Sequence, residues 1–282
     1  MIFGAHMSSA GGVWKALERG KEAGCEVIQL FTKNNNRWSA TDTLSEDAEK
    51  FRAAAAETGV IPSASHSAYL INLASANPVT LDKSITAFID EIDRADFLGI
   101  PNLIFHPGSH GGAGEEVGIK KIVDSLNVIT AERPKAKVKI VLETTAGQGN
   151  AIGYKFEHLA EIMAKCKSPD RFGVCLDTCH IFAAGYNITD KEGYKATFDS
   201  FKKVIGFELL RAIHMNDSKK ECGSNVDRHE HIGKGKIGVE GFRLLVNDHR
   251  LQDIPMILET PKGPDMKEDK INLALLRKLA GV

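Results

Sequence analysis

No run of about 18 apolar residues occurs anywhere in the sequence, so no helix of it is built to cross a bilayer. The first residues, Met1-Ile-Phe-Gly-Ala-His6, lack the basic start and apolar stretch of a signal peptide and are expected to open a strand. Cysteine is sparse: five residues, at 25, 166, 175, 179 and 222, an odd and scattered set that argues against a disulfide framework. A reduced, cytoplasmic setting is expected. Charge of one sign is also lacking, with 36 Lys and Arg against 37 Asp and Glu and a net charge of −1. The chain is therefore no polycation; a nucleic-acid partner would have to be met by a local basic rim, helped by bound cations. Neither G-x-G-x-x-G nor a P-loop is present, which removes the usual marks of a nucleotide-binding open sheet. No Ser/Pro-rich linker, charge block or low-complexity tract divides the chain, so residues 1–282 are expected to form one domain.

What is present is an ordinary globular composition, 43% hydrophobic and 26% charged, rich enough for a sizeable core. Eight short apolar runs recur: Ile2–His6, Val27–Phe31, Pro62–His66, Asn102–His106, Lys139–Glu143, Gly173–Asp177, Ala212–His214 and Pro255–Glu259. The third is small and polar and the least strand-like. Segments of helical period lie between them. Ile85, Phe88, Ile89 and Ile92 make one apolar stripe; Ser45 is a candidate cap for a helix over 45–56; residues 155–166 and 189–204 read as helices. Pro107–Gly114 and Asn216–Gly238 read as long irregular loops. Alternating strand and helix means parallel strands with right-handed crossovers, and eight units of about 35 residues suit a closed α/β barrel, the (β/α)8 TIM barrel.

Six successive runs end in a metal-binding residue type: His66, His106, Glu143, Asp177, His214 and Glu259. In a barrel these share the C-terminal mouth, where barrel enzymes keep their chemistry. Three more candidates lie in the loops above it: His180, Asp227 and His229. Taken singly, each has an ordinary explanation. A lone histidine is usually a satisfied core or surface residue, a lone glutamate a salt-bridge partner, and Asp177 a helix cap. All six at one end of one sheet would cost several kcal/mol per buried charge unless cations sat among them. Histidine and carboxylate without thiolate suit zinc or manganese in open catalytic sites, and the nine groups would serve two or three ions. Cys175 and Cys179 are expected to be small core residues. His6 is expected to hold a ligand or a phosphate in place.

Several segments together resemble the signature segments of the apurinic/apyrimidinic endonuclease IV family: Phe105-His-Pro-Gly-Ser109, Leu142-Glu-Thr-Thr-Ala-Gly-Gln148, Gly173-Val-Cys-Leu-Asp-Thr-Cys-His180, His214-Met-Asn-Asp217 and Val226-Asp-Arg-His229. The resemblance runs from Gly4-Ala-His6 to Leu258-Glu-Thr260. It implies a TIM barrel with three zinc ions that cuts double-stranded DNA 5′ of abasic sites and trims blocked 3′ ends. It also implies a first zinc on His66, His106 and Glu143. Glu143 would bridge to a second on Asp177, His214 and Glu259, and His180, Asp227 and His229 would hold a third. Manganese could take part of the set. Tyr69 and Leu70 match a wedge that such enzymes insert into DNA; the family's inserted arginine falls on Asn36, beside Arg37. A hydroxide between two ions would attack in line, with Glu143 and Glu259 orienting it and accepting its proton. Lys33, Arg37, Arg228 and Lys234 are expected to meet backbone phosphates. A monomer is expected. The rival readings are a divalent-metal sugar isomerase or epimerase on the same barrel, which has no need of the third ligand group, and a lesion-binding protein without catalysis.

Overall fold

The computed structural model describes residues 1–39 and 44–282. Apolar runs flanked by amphipathic helices have one stable arrangement, a sheet covered on its outer face. Here the sheet closes on itself. The strands are β1 (Ile2–Met7), β2 (Val27–Leu30), β3 (Ile61–His66), β4 (Asn102–Phe105), β5 (Lys139–Glu143), β6 (Phe172–Asp177), β7 (Leu210–Met215) and β8 (Pro255–Leu258). All neighbours pair in parallel, in chain order, with β8 returning to β1. The helices are α1 (Trp14–Ala23), α2 (Leu44–Thr58), α3 (Pro78–Leu98), α4 (Glu115–Glu132), α5 (Phe156–Lys165), α6 (Thr178–Ala183), α7 (Lys191–Val204), α8 (Gly238–Val246) and α9 (Lys267–Ala280). The fold is the expected TIM barrel.

The barrel interior explains the placement of the site. Ile2, Val27, Ala64, Ile104, Val141, Cys175, Ala212 and Ile257, one from each strand, pack together apart from the main core between sheet and helices. Side chains alternate faces along a strand, so the residue two positions on points inward again, one layer nearer the mouth. That step leads from Val27 to Gln29, Ala64 to His66, Ile104 to His106, Val141 to Glu143, Cys175 to Asp177, Ala212 to His214 and Ile257 to Glu259. One apolar layer thus plugs the barrel and a polar layer sits directly above it. Beside Val27 on β1, the chains approach so closely that a Cβ on Gly4 would lie 1.8 Å from the Val27 carbonyl oxygen.

Element ends differ from the sequence reading by a residue or two. β4 stops at Phe105 and β8 at Leu258, so His106 and Glu259 stand just past their strands. Ser45 lies inside the first turn of α2 rather than capping it. The cap of α7 is Asp190, whose carboxylate accepts from the Gly193 N–H. β3 forms despite its composition because its small residues are buried and Ser63 Oγ donates to the Ile28 carbonyl at 3.1 Å. The two long loops are partly ordered by antiparallel pairs, Gly108–Ser109 with Ala151–Ile152 and Asp217–Ser218 with His229–Glu230, too short to show a period in sequence. No helix among the described residues is long and apolar enough to cross a membrane.

Candidate metal centre

Glu143, fully buried at the end of β5, is the centre of the polar layer. Its Oε2 lies 3.0 Å from His66 Nε2 and 3.2 Å from His106 Nε2. Its Oε1 lies 3.1 Å from His214 Nδ1 and 3.3 Å from His180 Nδ1. Glu259 Oε2 is 3.2 Å from the same His214 nitrogen, and Asp177 Oδ2 is 3.9 Å from it. The loop pair built on His229–Glu230 brings His229 over the rim. There Asp227 Oδ2 is 3.1 Å from His180 Nε2 and Asp227 Oδ1 is 3.3 Å from His229 Nε2. The structure therefore gathers His66, His106 and Glu143; Glu143, Asp177, His214 and Glu259; and His180, Asp227 and His229, with donor atoms inside each group within 4.8 Å of one another.

Hydrogen bonds from Nδ1 of three of the rings to backbone carbonyls leave Nε2 as the free acceptor. A carbonyl only accepts, so His66 Nδ1 donates to Ser67 O (2.8 Å), His180 Nδ1 to Thr144 O (2.8 Å) and His229 Nδ1 to Glu259 O (3.2 Å). In the neutral rings the Nε2 lone pairs then point at carboxylate oxygens and at each other; His180 Nε2 and His229 Nε2 are 3.4 Å apart. Acceptors facing acceptors in a buried site repel unless a cation lies between them. The donor set and its orientation thus fit divalent metal. Without metal, protons take that place. Burial alone disfavours a charged imidazole, but Glu143 outweighs it at His66 and holds that ring above the ordinary 6.5. His180 and His214 are raised further still against the same burial cost, the first chiefly by Asp177, the second chiefly by Cys175 and Glu259. Burial would raise Glu143, yet His106 and His214 hold it well below the ordinary carboxylate range. Burial likewise opposes ionisation of Asp227, and His180 overrides it, to about 2.

Asp177 keeps its ordinary role beside this one: its Oδ1 caps α6 by accepting from the His180 N–H at 2.8 Å, which places His180 over the centre. Cys175 is in the apolar plug, and Cys179 is buried within reach of Asp177 and His229; burial pushes both thiols up to about 12.

Three orienting residues escape a search for metal-ligand types. Gln29 accepts from His214 Nε2 at 2.8 Å and donates from its own Nε2 to Glu259 Oε1 at 2.6 Å and His6 Nδ1 at 2.9 Å. This turns His214 Nδ1 toward Glu143 and Glu259. Asn216 donates to Asp177 Oδ2 at 2.7 Å and accepts from the Glu259 N–H at 2.9 Å. Thr144 Oγ1 accepts from the Asp177 N–H at 2.9 Å. A lone glutamine within Val-Ile-Gln-Leu-Phe, in step with the other inward positions, was the available signal. His6 receives the Gln29 bond on Nδ1, and its buried Nε2 has no partner among the described residues.

Around the rim, Tyr69 is 64% exposed, with its ring edge-on to Phe31 at 5.5 Å, and Leu70 beside it is half-buried. Asn36 and Arg37 are exposed in a turn held by Asn34. A cleft of about 370 Å³ lies between Tyr69, Asn72, His106, His180, Asp227 and Arg228. Arg228 and Lys234 are exposed. Lys33 requires a correction: its side chain is 1% exposed and its ammonium sits 2.6 Å from Asp90 and 3.4 Å from Glu91 on α3, so it is engaged inside the protein rather than offered to a phosphate.

Residues 17–279 match the family described as xylose isomerase-like TIM barrel. Fold and centre together define a barrel of that class with a histidine–carboxylate site in its mouth. The chain is 51% identical over 277 residues to "Probable endonuclease 4" of Chloroflexus aurantiacus, covering 98% of this chain and 97% of that one. It is 51% identical over 276 residues to the protein of the same name from Geotalea daltonii, with coverage of 98% and 97%. The crystal structure of endonuclease IV from Thermus thermophilus superposes with a TM-score of 0.86 at 33% identity, covering 100% of this chain and 99% of that one. The chain belongs to the endonuclease IV family.

Proposed function

We propose that the protein is a metal-dependent DNA-repair hydrolase that incises duplex DNA 5′ of abasic sites, leaving 5′-phosphomonoesters, and that also trims blocked 3′ ends. Family membership supports the first part. The observation that carries the reading over a sugar isomerase is the group His180, on α6 rather than in a loop, with Asp227 and His229 from the segment above the rim, a third donor set beyond what an isomerase barrel needs.

In this reading His66, His106 and Glu143 hold one divalent cation, Glu143 with Asp177, His214 and Glu259 a second, and His180, Asp227 and His229 a third. Zinc suits the donors best, with manganese able to replace it in part. When bound, such ions supply Lewis acidity and a nucleophile at neutral pH. The chain's residues do the rest. Glu143 is enclosed, whereas the Glu259 side chain keeps 17% exposure, so Glu259 is the carboxylate an attacking water reaches and the acceptor of its proton. Gln29 holds the Glu259 carboxylate for that role. His6 accepts from Gln29 on Nδ1 and so helps hold the amide that orients Glu259. Arg37, Arg228 and Lys234 lie on the surface for backbone phosphates, which positions the duplex without reading sequence. An abasic nucleotide lacks stacking and leaves the helix at little cost; Tyr69 and Leu70, with Asn36 and Arg37 opposite, would fill the gap. We place the protein in the cytoplasm as a monomer.

The test is incubation with a duplex carrying one abasic site, with and without a strong chelator. Incision on the 5′ side only without chelator supports the reading; ketose–aldose interconversion with no incision would overturn it. Tyr69→Ala is expected to weaken duplex incision while leaving metal content intact, and equal incision rates for variant and parent would remove the wedge role.

A further inference from the structure

The buried Lys33 has no part in the metal centre, and neither has its partner Glu91. Both side chains are 1% exposed. Glu91 Oε2 accepts from Thr32 Oγ1 at 2.9 Å, and Glu91 Oε1 accepts from the Ala68 N–H at 3.2 Å. Lys33 Nζ reaches Glu91 at 3.4 Å, Asp90 at 2.6 Å and the Trp38 carbonyl at 3.4 Å. Asp90 is bound in turn by Arg94 Nε at 3.2 Å. One site on α3 therefore grips the β2–α2 loop at Thr32 and Lys33, and Lys33 in turn holds the Trp38 carbonyl, so contacts fall either side of Asn36 and Arg37. It also grips the β3–α3 loop at the residue before Tyr69.

Buried ion pairs give little net stability, because desolvation offsets their attraction, and apolar residues of equal volume often serve as well. What such a network supplies is one defined geometry, since Glu91 accepts from Thr32 and Ala68 and meets Lys33 only in that arrangement. We infer that Glu91, with Lys33, is a positioning residue for lesion recognition, locking the two rim loops into a single rigid wedge before DNA arrives. This rests on the wedge role given to Tyr69, Leu70, Asn36 and Arg37 above. A preset wedge forgoes the ordering cost that loose loops would meet on binding.

The test compares Glu91→Gln and Thr32→Val with the parent enzyme in metal content, thermal midpoint, binding to a duplex carrying a tetrahydrofuran abasic analogue, and KM and kcat on an abasic duplex. Thr32→Val removes one neutral hydrogen bond and buries no charge, so it is the variant expected to fold without difficulty. The expected result is a KM and analogue Kd raised at least about tenfold for Glu91→Gln, and less in the same direction for Thr32→Val, since small misplacements of positioning groups cost about that much or more. Metal content and kcat at saturating DNA stay at parental values. Parental KM and Kd in both variants, or a fall in kcat and metal content with KM unchanged, would overturn the inference. If the parent itself neither binds nor incises the abasic duplex, the functional reading falls and takes this inference with it; if only the variants match the parent, the inference alone falls.

Discussion

Gln29 shows how much of the centre depends on a residue that holds no charge. Its amide touches His214, Glu259 and His6 at once. Gln29→Met keeps the volume and removes every polar contact, freeing His214 to turn and Glu259 to swing. Residues of this kind are worth about 10–100-fold in metal affinity. We expect a loss in that range, read by competition with a chromophoric chelator, with the metal-free protein destabilised by about 1–3 kcal/mol through the buried groups left unpaired. Unchanged affinity would show that His214 and Glu259 are oriented by their own packing. His229→Ala tests the outer group in the same way. It should remove one equivalent of metal and most incision while His66, His106 and Glu143 keep theirs; full incision by this variant would end the three-ion reading.

Strands place these residues, and the strands were readable because a buried parallel strand is a short apolar run with a polar end. His66, Glu143 and Asp177 fall at the last strand position as the sequence suggests. Gln29 was not readable by residue type, although its phase, two residues above the apolar plug, is the same as theirs. The pairing of Asp217–Ser218 with His229–Glu230 was not legible either: two residues carry no period, and it takes the folded barrel to bring their loop ends together. Lys33 misled because a lysine amid asparagines looks solvated, and only the packing of α3 against the β2 loop turns it inward. At Gly4 the element itself is at stake. A methyl group there would meet the Val27 carbonyl oxygen at 1.8 Å, so β1 and β2 could keep their register only by moving apart. Gly4→Ala is expected to destabilise the fold by about 3 kcal/mol or more in urea unfolding, the upper range for overpacking; a loss under about 1 kcal/mol would mean that the strands separate easily there.

Across the whole molecule, metal and protons compete for the same lone pairs. In the metal-free chain, His66, His180 and His214 are raised above 6.5 by neighbouring carboxylates, against the cost of burial. A raised imidazole stabilises the fold below its unfolded value and loses that contribution as pH climbs through the folded value. Glu143 and Asp227 are depressed by the imidazoles, against burial, so their contribution is present above the ordinary carboxylate values and is lost as pH falls through the folded ones. The metal-free protein is therefore most stable between the ordinary carboxylate and imidazole values, and weakens as pH climbs past the ordinary imidazole value through the raised ones and the rings lose their protons. Metal binds the deprotonated rings, so the gain in thermal midpoint on adding zinc should widen from about pH 6 to about pH 8. A gain independent of pH would place the metal elsewhere.

The central claim is that histidine and carboxylate groups crowd the mouth of this barrel because several divalent cations belong among them and act on a phosphodiester. Chelator-treated protein, returned to zinc in measured equivalents and assayed on a duplex with one abasic site, tests it most directly. The account predicts no incision by the metal-free protein, and 5′ incision that rises with added zinc and levels off near three equivalents per chain. Full incision by metal-free protein would contradict it.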